Sequence, residues 1–219
     1  MCGRYTLTNT GQLALRFGVA EADVEPRYNI APSQEVPIIV AGRDGPALRE
    51  ARWGFRPAWL GDSANAAPIN ARAETLLERP LFRGAVATHR CLIPADGFYE
   101  WQARPGQKAK QPFYIRLRDG ALFAFAGLYT AGKDDAEDTC ALITTRPNAL
   151  MAPIHDRMPA ILRREDEAAW LDPELTIPEA VLGYLEPYPE SLMQAYPVST
   201  LVSNVRHEGP DLVHPLAGR

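Results

Sequence analysis

A chain of 219 residues, 46% hydrophobic and 23% charged, is long enough for one substantial core or at most two small ones and has the composition of a soluble globular protein. It contains no run of eighteen apolar residues and opens with no basic-then-apolar leader, which excludes a membrane span and a secretory signal and makes a cytoplasmic location the expectation. The net charge of −4 gives no whole-molecule attraction to nucleic acid, so a role there requires a local basic patch.

The first stretch with chemical content is Met1-Cys2-Gly3-Arg4-Tyr5. Cys2 is small enough for the initiator Met to be removed, which would leave a free α-amine beside a free thiol. The amine titrates at about 7.7–8.0, so an appreciable fraction is a neutral nucleophile at pH 7. The thiol, ordinarily at about 8.5, can be drawn toward thiolate by a cation such as Arg4. An amine and a thiol two carbons apart can add in turn to one aldehyde, forming an imine and then a thiazolidine ring. The plain alternative is a buried cysteine near a chain end. Cys2, Cys91 and Cys140 are too few and too scattered for a disulfide framework or a zinc site, so a reducing compartment that keeps Cys2 free is expected.

Further along, Asn9 or Thr10 can cap a short helix that turns Leu13 and Phe17 inward. Tyr28 to Pro32 is a loop, and Val36 to Val40 a buried strand in which Pro37 marks a start or an edge. A turn at residues 42–45 leads to a second strand, Ala47 to Phe55. The segment from Trp53 to Trp59 is too rich in aromatics and proline to continue it. Asn70 is placed to cap a helix with Leu76 and Leu77 facing inward. Arg90 to Pro94 and Gly97 to Trp101 are short strands around a turn, and Arg104 to Gln111 is an exposed polar loop. Asp119-Gly120, between the apolar runs Phe113 to Arg118 and Ala121 to Tyr129, predicts a hairpin. Thr139 to Thr145 is a strand, Arg164 to Leu171 a helix stopped before Pro173, Pro178 to Leu185 a second helix, and Val198 to Val205 a last strand. No repeat or linker divides residues 1–219. The expectation is one α+β domain, a mostly antiparallel, barrel-like sheet with peripheral helices.

Four segments set reactive or phosphate-binding side chains among Pro, Gly and aromatics. They are Cys2-Gly3-Arg4-Tyr5, Asn70-Ala71-Arg72-Ala73-Glu74, Pro94-Ala95-Asp96-Gly97-Phe98-Tyr99-Glu100-Trp101, and Ile154-His155-Asp156-Arg157-Met158-Pro159. In these segments, and in Tyr28 to Pro32, Trp53-Gly54, Phe125 to Leu128 and Thr144-Thr145, the chain resembles the SRAP family. The shared order of the motifs covers most of the chain. The resemblance implies a protein that binds abasic sites in single-stranded DNA and crosslinks to the opened sugar through its N-terminal cysteine. Abasic-site lyase activity and the SOS-associated peptidase activity for which the family was first described are implied as well. By motif, Cys2 is the nucleophile, Asn70 orients the opened sugar, Glu100 and His155 handle protons, and Arg72 and Arg4 hold phosphates.

The residues read by themselves agree. Imine formation needs a proton delivered to a leaving hydroxyl, work suited to a carboxyl or an imidazole titrating near pH 7. Glu100, between Tyr99 and Trp101, is set for partial burial and a raised pKa, though a strand glutamate is more commonly just solvated. Taken singly, His155 would fit an ordinary structural histidine, and Asn70 an ordinary cap. All basic residues but Lys108, Lys110 and Lys133 are arginines, which suit forked phosphate contacts. Arg83, Arg146 and Arg157 can extend a basic track or form surface ion pairs. Trp53, Phe98 and Trp101 are assigned to the core, whereas Pro32 and Trp59 are placed to stack on exposed bases. Leu60, where some relatives carry an aromatic, reduces that stacking. No cofactor or metal motif is present, and a monomer, associated with the bacterial nucleoid when engaged, is expected. Two other readings stand beside the crosslinker. One is a cysteine peptidase in which His155 serves Cys2 as base, and the other is a non-catalytic single-strand binder.

Overall fold

The computed structural model describes residues 2–20, 22–60, 67–132 and 137–216. The strands in chain order are β1 Tyr5–Leu7, β2 Arg27–Ile30, β3 Glu35–Gly42, β4 Gly45–Trp53, β5 Asn70–Arg72, β6 Arg90–Ala95, β7 Gly97–Gln102, β8 Gln111–Leu117, β9 Phe123–Thr130, β10 Thr139–Thr145, β11 Met158–Pro159 and β12 Met193–Pro197. Four α-helices accompany them: α1 Leu13–Phe17, α2 Pro80–Thr88, α3 Glu167–Leu171 and α4 Pro178–Val181.

Apart from residues 198–205, the apolar runs expected to be strands are strands, and those of the larger sheet are buried because they close on themselves. β10, β4, β3, β6 and β9 pair in that order, and β9 then pairs back to β10. This ring is barrel-like, which removes its edges and explains why β10 is buried along its whole length. Pro37 is tolerated because β6 meets β3 only at Ile39↔Leu92. The second sheet, ordered β12-β8-β7-β1-β2, is antiparallel throughout. Tyr5, Phe98 and Ile115 from this sheet share one core cluster with Ile38, Phe125 and Ile143 of the ring. The architecture is α+β, as expected.

Four local expectations are corrected. Tyr28 to Ile30, read as the start of a loop, belong to β2, which pairs with β1. The Asp119-Gly120 turn forms, with Gly120 at φ 71°, but it joins β8 of one sheet to β9 of the other, so no hairpin results. Local turn chemistry was satisfied while tertiary pairing took each strand elsewhere. Asn70 caps no helix. Residues 70–72 extend beside β10 in parallel register, Leu142↔Asn70 to Thr144↔Arg72, and only a single 3-10 turn, Ala73–Thr75, follows. The predicted strand at 198–205 lies one element late: β12 is Met193–Pro197, and Thr200–Ser203 is a 3-10 turn capped by Ser199. Helix α2, opened by Pro80, has no counterpart in the elements read from the sequence.

One polar knot fixes the N-terminal strand. Asp96, at the corner between β6 and β7, accepts from the Thr6 hydroxyl at 2.6 Å, the Thr8 amide and hydroxyl, and the Asn9 amide. Tyr114 reaches the same Thr6 hydroxyl at 2.8 Å by lying across Gly97, where any Cβ would meet its ring at 2.1–2.5 Å. Gly97 is therefore required by close approach. The knot holds β1, and so the residues just before it.

Candidate active site

Cys2 lies immediately before β1 and is fully buried. Its carbonyl oxygen accepts from Asn70 Nδ2 at 2.9 Å, so the short strand β5, laid along β10, anchors the chain start. The Cys2 sulfur faces the Arg4 carbonyl at 3.9 Å. Burial raises the thiol pKa far above its ordinary value, and the charge of Glu100 adds to the effect. The expected thiolate activation by Arg4 is not the arrangement seen. The Arg4 guanidinium is engaged elsewhere: Nη1 donates to Asn29 Oδ1 at 2.8 Å and to the Val202 carbonyl at 2.7 Å. It also lies 5.6 Å above the Trp101 ring.

Glu100 follows from strand alternation. On β7, Phe98 and Glu100 share one face and Tyr99 and Trp101 the other, so the carboxyl points inward and is only 2% exposed. Burial is the largest cause of its pKa rise to about 7, with the charge of Asp156 adding to it. The carboxyl is therefore placed to give up and take back a proton near neutral pH.

His155 Nε2 lies 4.0 Å from Glu100 Oε2. Its Nδ1 accepts the Arg157 amide at 3.0 Å, so in the neutral ring the proton sits on Nε2 and faces the carboxyl. Asp156 Oδ1, 2.9 Å from Nδ1, competes for that nitrogen from solvent, being 89% exposed. Burial holds the imidazole pKa below its usual value.

The turn bearing His155 is built by Asn148, a residue that no motif singles out. Its Oδ1 accepts the Met151 amide, its carbonyl accepts Ala152, and its Nδ2 donates to the Tyr188 carbonyl at 2.7 Å. Gln102, two residues beyond Glu100 on β7, donates to the Pro153 carbonyl at 2.9 Å and ties the turn to the strand. Both residues escaped sequence reading because each donates its side-chain amide to a backbone carbonyl distant in the chain.

Asn70 Oδ1 is buried and accepts no hydrogen bond from the described residues. It is an acceptor held ready beside the chain start, where an amine or a sugar hydroxyl would satisfy it. The contacts thus join Cys2 to Asn70, Cys2 electrostatically to Glu100, and Glu100 to His155.

The arginines divide. Arg72 is exposed at the end of β5. Arg157 is committed to a two-pronged pair with Glu74 at 2.7 and 2.8 Å and to the Thr144 carbonyl at 2.6 Å. Arg146 pairs on the surface with Glu186. Arg83 is exposed on α2, and Pro32 is partly exposed in the loop after β2. Trp59 is 67% exposed and borders an open groove of about 530 Å³ with Phe55, Pro80, His89 and Tyr129. Among the described contacts, none links Pro32, Trp59 or Arg83 to the four central residues. Trp53 and Phe98 are core, as expected, whereas Trp101, also assigned to the core, is only partly buried.

The family model described as SOS response associated peptidase (SRAP) matches residues 1–205. The chain is 43% identical to the abasic site processing protein YoqW of Bacillus subtilis, over 97% of this chain and 99% of that one. It is 31% identical to the abasic site processing protein YedK of Escherichia coli, over 99% and 100% of the two chains. A solved protein from Bacteroides thetaiotaomicron superposes with a TM-score of 0.86 at 28% identity, covering 99% of this chain and all of that one.

Proposed function

This chain belongs to the SRAP family, and from that premise and the geometry above we propose that it processes abasic sites in DNA by covalent capture through Cys2. Relatives across most of its length bear the name abasic site processing protein. The observation that carries the covalent reading is the buried Cys2, held at its carbonyl by Asn70 Nδ2 at 2.9 Å, with the buried Glu100 carboxyl near enough for its charge to raise the thiol pKa.

After removal of Met1, the Cys2 amine adds to the aldehyde carbon of the ring-opened sugar. The resulting carbinolamine loses water to become an imine, with Glu100 in its acid form donating the proton that the departing hydroxyl needs. The thiol then adds across the C=N bond. Its sulfur bonds to carbon and its proton passes to nitrogen, with Glu100 in its base form as relay. One water leaves in all, and nothing is oxidised or reduced. His155 Nε2–H stabilises whichever carboxylate form is charged, and Asn70 Oδ1 accepts from the amine or the sugar. Lyase chemistry branches at the imine, where elimination would break the sugar–phosphate bond, and ring closure by the thiol withdraws the imine from that branch.

A peptidase that attacks with sulfur alone requires a thiolate, which this burial opposes. Single-stranded DNA is the substrate form that leaves the sugar free to reach a buried residue without unpairing a duplex.

The test uses an abasic single-stranded oligonucleotide and a denaturing gel. The mature protein is expected to give a heat-stable shifted band that Cys2→Ala abolishes. A variant with one Ala inserted before Cys2, its mass confirmed, keeps the thiol but turns its amine into an amide, and should lose the band as completely. A stable band from that variant would replace the aminothiol mechanism with a thiol-only one.

A further inference from the structure

The β7–β8 connection carries charge that the proposed chemistry does not use. From Trp101 to Arg118 the chain has no Asp or Glu and contains Arg104, Lys108, Lys110, Arg116 and Arg118, although the whole protein is net negative. Residues 105–110 are all exposed, and among the described residues neither Lys108 nor Lys110 forms an ion pair.

The placement of this loop is set by register. Glu100 pairs opposite Phe113 and Gln102 opposite Gln111, so Lys110 is the first residue beyond the last pair. It stands about 10 Å along the strand direction from the Glu100 level at roughly 3.3 Å per residue. Gln102, at the base of the loop, is hydrogen-bonded to Pro153 in the turn that ends at His155. The loop therefore rises from the rim of the site on a rigid base, and Lys110 lies near enough for its charge to act on His155.

We infer that the 103–110 loop is a second phosphodiester-binding surface, on which Lys108 and Lys110 hold the DNA backbone flanking the abasic sugar. The inference rests on the proposed DNA substrate. The offset of about 10 Å corresponds to no more than about three nucleotides at 3.4 Å per nucleotide of one strand. Arg72 lies beyond Asn70 on β5, a different element from the loop, so the two contacts would reach the strand independently. A phosphate on Lys110 would replace a cation near His155 with a neutral pair, easing protonation of the imidazole once substrate is seated.

The test measures binding of a single-stranded oligonucleotide carrying a tetrahydrofuran abasic analogue, which cannot open to an aldehyde and so reports non-covalent affinity alone. For the Lys108→Ala/Lys110→Ala variant, the slope of log K against log salt should be shallower than for the unmodified protein by about 1.4, the value for two phosphates on a single strand. Arg43→Ala, at the β3–β4 turn, serves as the control and should leave the slope unchanged. Shortening the oligonucleotide on one side of the lesion should erase the difference, and shortening it on the other side should not. Equal slopes for the double variant and the unmodified protein, with the Cys2-dependent covalent band still forming on a natural abasic strand, would overturn the loop assignment alone. Failure of the unmodified protein both to bind the analogue and to form the band would remove the DNA reading and this inference together. The substituted side chains are exposed, and an unchanged thermal midpoint confirms that the variant is folded.

Discussion

Burial of Glu100 has a consequence for stability as well as for catalysis. Its folded pKa of about 7 lies above the unfolded value of about 4.3, so between those values the folded state binds a proton that the unfolded state has lost. Stability therefore falls as pH rises through that window and levels off above about 7, by up to about 4 kcal/mol at 1.36 kcal/mol per pKa unit. Glu100→Gln should remove this dependence, giving a variant more stable than the parent at pH 8 by an amount that shrinks toward pH 5. It should also form the covalent band more slowly on a natural abasic strand, because the amide cannot exchange a proton. Denaturant titrations at pH 5, 6.5 and 8 check the first part, and a pH-independent difference would mean that Glu100 titrates normally. At this scale the sequence was informative where chemistry is local. Cys2 stood out by its place after Met1, and the burial of Glu100 was expected from its place between Tyr99 and Trp101. The partners of Arg4 and Arg157 were not legible, because Val202 and Glu74 lie 198 and 83 residues away in the chain.

Elements were legible from their apolar runs, and their partners were not. β10 was read over the span it occupies, Thr139 to Thr145, because a continuous β-branched and apolar run has few other outcomes. The Asp119-Gly120 turn was read too, yet a turn specifies only a reversal, and here the reversal carries the chain between sheets. β5 was misread because Asn followed by Ala, Arg, Ala and Glu favours a helix locally, whereas pairing with β10 satisfies the same backbone groups in extended form. Helix α2 illustrates another long-range dependence. Arg90 is buried and its guanidinium donates to the carbonyls of Val86 and Ala87 at the end of α2. It donates also to those of Trp170 and Asp172 at the end of α3. One cation thus caps two helix C-termini, the end that favours positive charge. Arg90→Met should destabilise the protein by about 2–4 kcal/mol, since several buried carbonyls lose a charged donor. Arg90→Lys should recover only part, because an ammonium cannot span both ends. Thermal melting of the three proteins decides the point, and a lysine variant as stable as the parent would reduce the capping to a simple charge effect.

Across the whole molecule the charge is slightly negative, so long-range steering toward DNA is weak and affinity must come from a few local phosphate contacts. Arg157 is held by Glu74, and Arg4 has Nη1 bound to Asn29 and Val202, which leaves Arg72, Lys108 and Lys110 as the exposed cations best placed around the site. Three phosphates on a single strand correspond to a slope of log K against log salt of roughly −2. Arg72 has a competitor for its charge: Glu74, two residues on, whose pKa is lowered chiefly by its hydrogen bonds to Arg157 and to a lesser degree by Arg72 itself. Because Arg157 already occupies both Glu74 oxygens, Arg72 is free to turn to a phosphate. Arg72→Ala should therefore make the slope shallower by about 0.7. The loss should add to that of the Lys108→Ala/Lys110→Ala variant, because the two contacts sit on separate elements and share no partner. Binding titrations of the tetrahydrofuran oligonucleotide between 50 and 200 mM salt, a range over which such slopes are resolved, would show this. A slope unchanged by Arg72→Ala would mean that its guanidinium stays with Glu74 in the complex, and the backbone contact on the β5 side would then fall to another residue.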